Sequence, residues 1–361
     1  MSAAAERTGR SSPAEDRRKV RVLIVDDSLT VRTVFTRMLQ KEVDVHIVAT
    51  ANSAERALEE LSANDVDVVM LDLEMPGMGG IEALPKIQRI APGAQILVIS
   101  SLTSDGAQHT VQALSLGAAD TMLKPRPGGF NDDYRATLLE KIRALAGIDT
   151  PAQKPVRPIP AMAKGHKRPE VVAIGASTGG IHALNLFLRA LPASFDLPIL
   201  ITQHLPDSFI PVFAKQMELA SGRPALLAND GLEIERGHVI IAPGHGHMVV
   251  RKDGLRYVTG LAFHPVRSGC MPSVDPMFES VASAFNGRAA GVLLSGMGRD
   301  GTEGAEAIAR AGGTLYAQNA ESCAVWGMPR AITESGLASA VCPPEELAGK
   351  VVASAGAAAW A

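Results

Sequence analysis

Between Val20 and Leu145 the chain alternates five times between a short run of Val, Ile and Leu and a longer segment of mixed polarity. The runs VRVLIV, DVHIVAT, DVVMLD, QILVIS and DTMLK are continuously apolar rather than alternating, the pattern of strands covered on both faces. Segments such as SLTVRTVFTRMLQK, SAERALEELSA and GAQHTVQALSLG repeat their apolar residues every three or four positions and read as amphipathic helices, the last ended by Gly117. Together they predict an α/β unit with a doubly wound, five-stranded parallel sheet.

The stretch GIDTPAQKPVRPIPAMAKGHKRPE, with five prolines and a basic excess, reads as a semi-extended linker. Alternation resumes at Glu170 with VVAIGAS, LPILITQH and PALLA, then HVIIAPG and HMVVRK, a pair that reads as an antiparallel excursion. AAGVLLS, TLYAQN and ASAVC follow. This second unit is expected to be a larger, doubly wound and Rossmann-like domain with a mixed sheet. The organisation read from sequence is a disordered tail at 1–19, a first domain at 20–146, a linker at 147–168 and a second domain at 169–356.

Composition narrows the classes. Hydrophobic residues make up 46% of the 361, enough for a core in each half, while aromatics are only 4%, so aliphatic side chains must fill those cores. A net charge of -3 gives no electrostatic reason to expect nucleic acid or an anionic membrane as partner. Cys270, Cys323 and Cys342 are too scattered for a disulfide framework or a zinc knuckle, which fits a reducing cytoplasm. No apolar run approaches the ~20 residues of a membrane span. The Arg17-Arg18 pair is not followed by an export-type apolar segment, because Asp26 and Asp27 interrupt it.

Two constellations carry chemistry. In the first half, Asp26 and Asp27 end the first strand and Asp72 the third, neighbours at the switch point of a flavodoxin-like sheet. Three converging carboxylates repel one another unless a hard cation sits among them, and oxygen ligands point to Mg²⁺. Ser100 ends the fourth strand and Lys124 the fifth, adding a hydroxyl and an ammonium, a set suited to an aspartate that accepts a phosphoryl group. A lone Asp at a strand end is ordinarily a helix cap, but five such residues at one sheet edge are not. The pieces VDDS, LDLEMPGM, VISS and LKP resemble the response-regulator receiver family. That resemblance implies Asp72 as phosphoacceptor, Mg²⁺ held by Asp26, Asp27, Asp72 and the Glu74 carbonyl, and phosphoryl contacts from Ser100 and Lys124. Thr121 stands where receivers often carry a switch aromatic.

In the second half, GASTGG lifts Ser177 onto a glycine turn between a strand and a helix, as in G-x-S-x-G hydrolases. His204 ends a later strand, and Asp300 lies in SGMGRDG after another, so nucleophile, base and orienting acid share one edge. Two other readings use the same region. GMGRDG matches a dinucleotide fingerprint, but Asp300 would put a carboxylate against the pyrophosphate, and the motif sits late in its domain. His238, His245, His247 and His264 suggest a metal hydrolase, without a carboxylate-histidine set at zinc spacing.

GASTGG, TQHLP, IAPG, PSVD and SGMGRDG, in this order behind a receiver and a linker, resemble the chemotaxis receptor methylesterases of CheB type. The resemblance implies Ser177, His204 and Asp300 as catalytic residues and the Met297 N–H as oxyanion donor, with no cofactor in the esterase domain. The implied reaction is hydrolysis of glutamate γ-methyl esters on chemoreceptors, with deamidation of glutamines as a related activity. A chemotaxis histidine kinase would phosphorylate Asp72 and relieve obstruction of the cleft. The protein is expected to be a monomer without membrane insertion. The competing expectation is a phospho-regulated receptor-binding module with an inactive hydrolase domain, or a nucleotide-binding regulator.

Overall fold

The computed structural model describes residues 18–101, 103–125, 129–148 and 167–356. Most of the expected tail and most of the expected linker fall outside these residues. The first apolar runs form β1 (Val20–Val25), β2 (Val45–Ala51), β3 (Val68–Asp72), β4 (Gln95–Ser100) and β5 (Asp120–Leu123). They pair in the order β2-β1-β3-β4-β5, all parallel. Around them lie α1 (Leu29–Leu39), α2 (Ala54–Ala63), α3 (Gly80–Ile90), α4 (Ser104–Ser115) and α5 (Asp132–Leu145). Ser28, Ser53, Thr103 and Asn131 cap four of these helices by accepting a backbone N–H, which fixes where each begins. Gly117 follows α4 at φ +103°, and the Ala118 N–H returns to the Ala113 carbonyl, the left-handed closure its position predicted.

The second unit comprises β6 (Val171–Ala176), α6 (Gly180–Arg189), β7 (Ile199–Gln203), α7 (Ile210–Ser221), β8 (Ala225–Leu227) and β9 (Val239–Ile241). It continues through β10 (His247–Asp253), β11 (Arg256–Ala262), α8 (Val274–Ala284), β12 (Ala289–Leu293), α9 (Thr302–Ala311) and β13 (Thr314–Gln318). It ends with α10 (Met328–Glu334), β14 (Ala340–Cys342) and α11 (Pro344–Ser354). Seven strands form one sheet in the order β14-β13-β12-β6-β7-β9-β8.

Here the sequence reading needs correcting. The seven-stranded sheet is parallel throughout rather than mixed, and HVIIAPG contributes β9 to it, between β7 and β8. The antiparallel partner of HMVVRK is instead RYVTGLA, joined through Gly254-Leu255. Val239, Ile240 and Ile241 are all fully buried, as a strand covered on both faces requires. The Asp253-Gly254 pair, with Gly254 at φ +60°, was the overlooked hairpin signal.

The two units touch. Ala107, Thr110, Val111, Ala113 and Leu114 of α4 are buried, and α4 packs against α6 and α7. One buried apolar cluster runs from Leu71 and Val98 through Val111 and Leu114 to Ile181, Phe209 and Phe213.

Candidate active site and receiver site

In the larger sheet the chain starts at β6, works outward to β8 and β9, and returns to place β12 on the other side of β6. The switch point therefore lies between β6 and β12, where ligands of open α/β sheets bind. Ser177 follows β6, Asp300 follows β12, and His204 follows β7. Gly179 bends the turn after Ser177 at φ +77°, a backbone region costly for other residues. A Cβ there would also stand 2.6 Å from both the Ser295 Oγ and the Ala324 Cβ.

These three predicted residues come together. The His204 Nδ1 lies 3.1 Å from the Ser177 Oγ, and the His204 Nε2 lies 2.7 Å from the Asp300 Oδ2. A carboxylate can only accept, so Nε2 carries the proton and Nδ1 is left to receive one from the serine. The ring is thus turned the opposite way from the protease arrangement, in which Nδ1 faces the acid. Asp300 is 3% exposed. Its Oδ1 accepts from the Ser273 hydroxyl at 2.6 Å and its Oδ2 from the Val274 N–H at 2.7 Å. Burial disfavours its charge, but hydrogen bonds from His204, Ser273 and Val274 outweigh that and hold its pKa down at about 2. For His204 burial likewise opposes charge, yet Asp300 and the neighbouring Cys270 raise its pKa to about 9. Sequence reasoning took PSVD only as a family motif. Ser273 and Val274 prove to be what clamps Asp300, and the N-cap role of Ser273 on α8 was a legible signal.

The turn carrying Met297 stands against Ser177: a Cβ on Gly296 would meet the Ser177 Cβ at 2.9 Å. Both polar groups of the Gly296 backbone are occupied by the 325–328 segment. Among the described residues the Met297 N–H has no partner, leaving a donor beside the serine.

Among the described residues the histidines of the metal reading form no metal-binding group: the His247 and His264 rings adjoin at 5.5 Å without a third ligand. His247 is fully buried, accepting from the Ser273 N–H and donating to the His264 carbonyl, while His245 pairs with Asp207 and His238 contacts the Arg236 carbonyl. Nor does the Gly296–Gly301 turn suit a pyrophosphate, because it carries the Asp300 carboxylate, which is committed to His204, Ser273 and Val274.

In the smaller sheet, oxygens of Asp26, Asp27 and Asp72 lie within 4.8 Å of one another. The Lys124 Nζ stands 2.6 Å from Asp72 and 2.9 Å from Asp26. Burial pushes the Asp72 carboxyl up to about 6; the Lys124 hydrogen bond opposes this, and the Asp26 charge adds to it. Among the described residues the buried Asp26 Oδ2 meets the same Lys124 ammonium that Asp72 holds, so one cation serves carboxylates that a divalent ion would neutralise more fully. Glu74 donates its N–H to Asp72, and its carboxylate accepts from Ser101. Ser100 does not reach Asp72: its hydroxyl is buried against the Thr121 hydroxyl at 3.4 Å.

The receiver-like unit grips the Ser177 turn itself. The Thr178 hydroxyl donates to Asp120 at 2.6 Å, and Lys141 holds the same carboxylate oxygen at 2.6 Å. The Gly179 N–H reaches the Ala119 carbonyl at 2.5 Å, and the His182 Nδ1 reaches the Ser115 carbonyl at 3.1 Å. The sequence reading expected occlusion but named none of these residues.

Comparison with known proteins covers both halves. The family model "CheB methylesterase" matches residues 172–351, and "Response regulator receiver domain" matches residues 22–129. A Caulobacter vibrioides protein named protein-glutamate methylesterase/protein-glutamine glutaminase 2 is 42% identical, over 93% of this chain and 98% of its own. A Rhodospirillum rubrum protein named protein-glutamate methylesterase/protein-glutamine glutaminase 1 is 37% identical over 93% and 95%. The chain belongs to the CheB methylesterase family. Among solved structures, the Thermotoga maritima CheB methylesterase catalytic domain is similar, with a TM-score of 0.50 and 33% identity over 51% of this chain and 98% of that one. The CheB match ends at residue 351, within α11, so it spans nearly all of the larger sheet unit.

Proposed function

We propose that this CheB family member is a phosphorylation-controlled protein-glutamate methylesterase, with protein-glutamine glutaminase activity at the same site. The receiver is residues 20–146 and the catalytic domain residues 169–356. The observation that carries the reading is the chain of contacts from Ser177 through His204 to Asp300, at 3.1 and 2.7 Å, beside the Met297 N–H. In this reading the Ser177 Oγ attacks the γ-carbonyl of a methylated glutamate as His204 Nδ1 takes its proton. The Met297 N–H donates to the developing oxyanion, and Asp300 stabilises the imidazolium. His204 returns the proton to the departing methanol, then activates the water that frees the glutamate. A glutamine side chain would follow the same course with ammonia as leaving group.

In the receiver, Asp72 accepts a phosphoryl group from a chemotaxis histidine kinase. Asp26, Asp27, Asp72 and the Glu74 carbonyl would hold Mg²⁺, which neutralises phosphoryl charge when bound. Lys124 and Ser100 contact the transferred group, the latter after leaving Thr121. Chemoreceptors are the substrates and the site of action is cytoplasmic. Among the described residues no helix is long and apolar enough to cross a membrane.

The deciding experiment is methanol release from methylated chemoreceptor membranes. Ser177→Ala should fold and lose on the order of 10⁶ in kcat, as nucleophile loss does in serine hydrolases. More than a tenth of wild-type activity in that variant would remove Ser177 from the nucleophile role.

A further inference from the structure

Behind the triad lies a second buried carboxyl group that the reaction above does not use. Ser273, Val274 and Asp275 open α8 in succession, and the first two donate to Asp300. Asp275 is 8% exposed; its N–H donates to the same Ser273 hydroxyl that donates to Asp300, and its carboxyl takes the Gly304 N–H just past Asp300, which makes the two carboxyl groups neighbours. The donors are unequally shared. Asp300 receives the His204 Nε2–H, the Ser273 hydroxyl and the Val274 N–H, whereas Asp275 receives the Gly304 N–H at 2.8 Å. Among the described residues no cation is paired with Asp275. Glu303 on α9 adds a further negative charge, partly engaged by Arg267 at the surface, and His204 is turned to Asp300. His247, on β10, accepts from the Ser273 N–H through Nδ1, so the nitrogen nearest α8 is unprotonated. Two carboxyl groups in contact and out of water do not both ionise readily, and the one with fewer donors keeps its proton.

We propose that Asp275 is a positioning residue of the catalytic centre: a neutral carboxylic acid that donates its proton in a hydrogen bond to the Asp300 carboxylate. Its other oxygen caps α9 through Gly304, so the same side chain ties the α8 and α9 N-termini to the acid that orients His204. Burial first, and then the Asp300 and Glu303 charges, raise the Asp275 pKa to about 7, against the opposing Gly304 hydrogen bond. The proton is thus present below neutrality and lost as pH rises. Once lost, a second negative charge stands close to His204 and holds the imidazolium more tightly.

The kinetic part of this inference rests on the esterase reading; the protonation part does not. In the full-length chain, the infrared difference spectrum between wild type and Asp275→Asn at about pH 6 should contain the carbonyl band of a protonated carboxylic acid, fading by about pH 8. In methanol release at about pH 6, where the proton is present, Asp275→Ala should lower kcat by about tenfold or more at unchanged KM, the scale of a lost hydrogen bond to a charged group. Asp275→Asn keeps a donor toward Asp300 and an acceptor for Gly304. It should recover most of that loss and move the acid limb of kcat/KM to lower pH, because an amide cannot add the second charge. A residue that only capped α9 would leave that limb in place. No carboxylic acid band at pH 6 overturns the proposal, as does an acid limb unmoved in Asp275→Asn or an Asp275→Ala kcat equal to wild type. A wild type that releases no methanol sinks the esterase reading instead, and the infrared band still decides the state of Asp275.

Discussion

Two oxygens of Asp300 serve three donors, and this concentration of hydrogen bonds sets the chemistry of the histidine beyond it. A His204 pKa of about 9 means the neutral base becomes more populated as pH rises, so kcat/KM should climb on the alkaline side of neutrality. Asp300→Asn removes the anion; its acid limb should move down toward the ordinary ~6.5 of histidine, while the plateau falls by roughly 10⁴, the precedent from a protease. A pH series of methanol release checks both, and an unmoved limb would contradict the assigned contact. Asp72 gives the opposite kind of test. Its folded pKa is raised to about 6, so folding favours its protonated form. Stability tied to that proton is present at low pH and is lost as pH rises through about 6. Mg²⁺ would compensate the exposed cost, so it should raise the melting temperature more at about pH 7.5 than at about pH 5. Equal shifts at both pH values would argue against Asp72 as a ligand.

At the level of elements, the nucleophile turn tolerates little. Gly179→Ala combines a positive φ, worth ~1–2 kcal/mol for a residue with a Cβ, with overpacking against Ser295 and Ala324 worth ~1–3 kcal/mol. Thermal unfolding should shift down accordingly, and methanol release should fall with it; a variant as stable as wild type would contradict the turn geometry. The same elements show what the sequence could reveal. Strands such as β1 and β4 were legible because both faces are buried and their hydrophobicity is continuous. That Ser177, His204 and Asp300 would lie together, and Asp26, Asp72 and Lys124 likewise, was legible because strand ends in a parallel sheet converge. β11 was missed because RYVTGLA is less apolar and only partly buried. Ser273, Val274 and Asp275 went unassigned because their contact with Asp300 joins α8 to the loop after β12, a pairing no local pattern encodes.

For the whole molecule, the feature that would exert control is the grip of Asp120 on Thr178, next to Ser177. A hydrogen bond to a charged group is worth ~1.5–3 kcal/mol, roughly 10- to 100-fold in a docking equilibrium. Asp120→Ala should therefore raise basal methanol release by about tenfold, and removal of residues 1–160 should raise it at least as far. If neither is faster than the unphosphorylated full-length chain, the receiver does not restrain the esterase by docking. Asp72→Asn should keep basal activity and abolish stimulation by a small phosphodonor. On the proposed reading a substrate that reaches Ser177 must cover the turn held by Asp120, so substrate and docked receiver compete for one surface. Whatever factor phosphorylation gains for substrate affinity, substrate must return to the phosphorylated receiver, because coupling between binding equilibria is reciprocal. A methylated receptor is then more than the thing acted upon. By occupying that surface it would act as an allosteric effector of Asp72, and should tighten the receiver's hold on a phosphate mimic such as beryllium fluoride by the same factor.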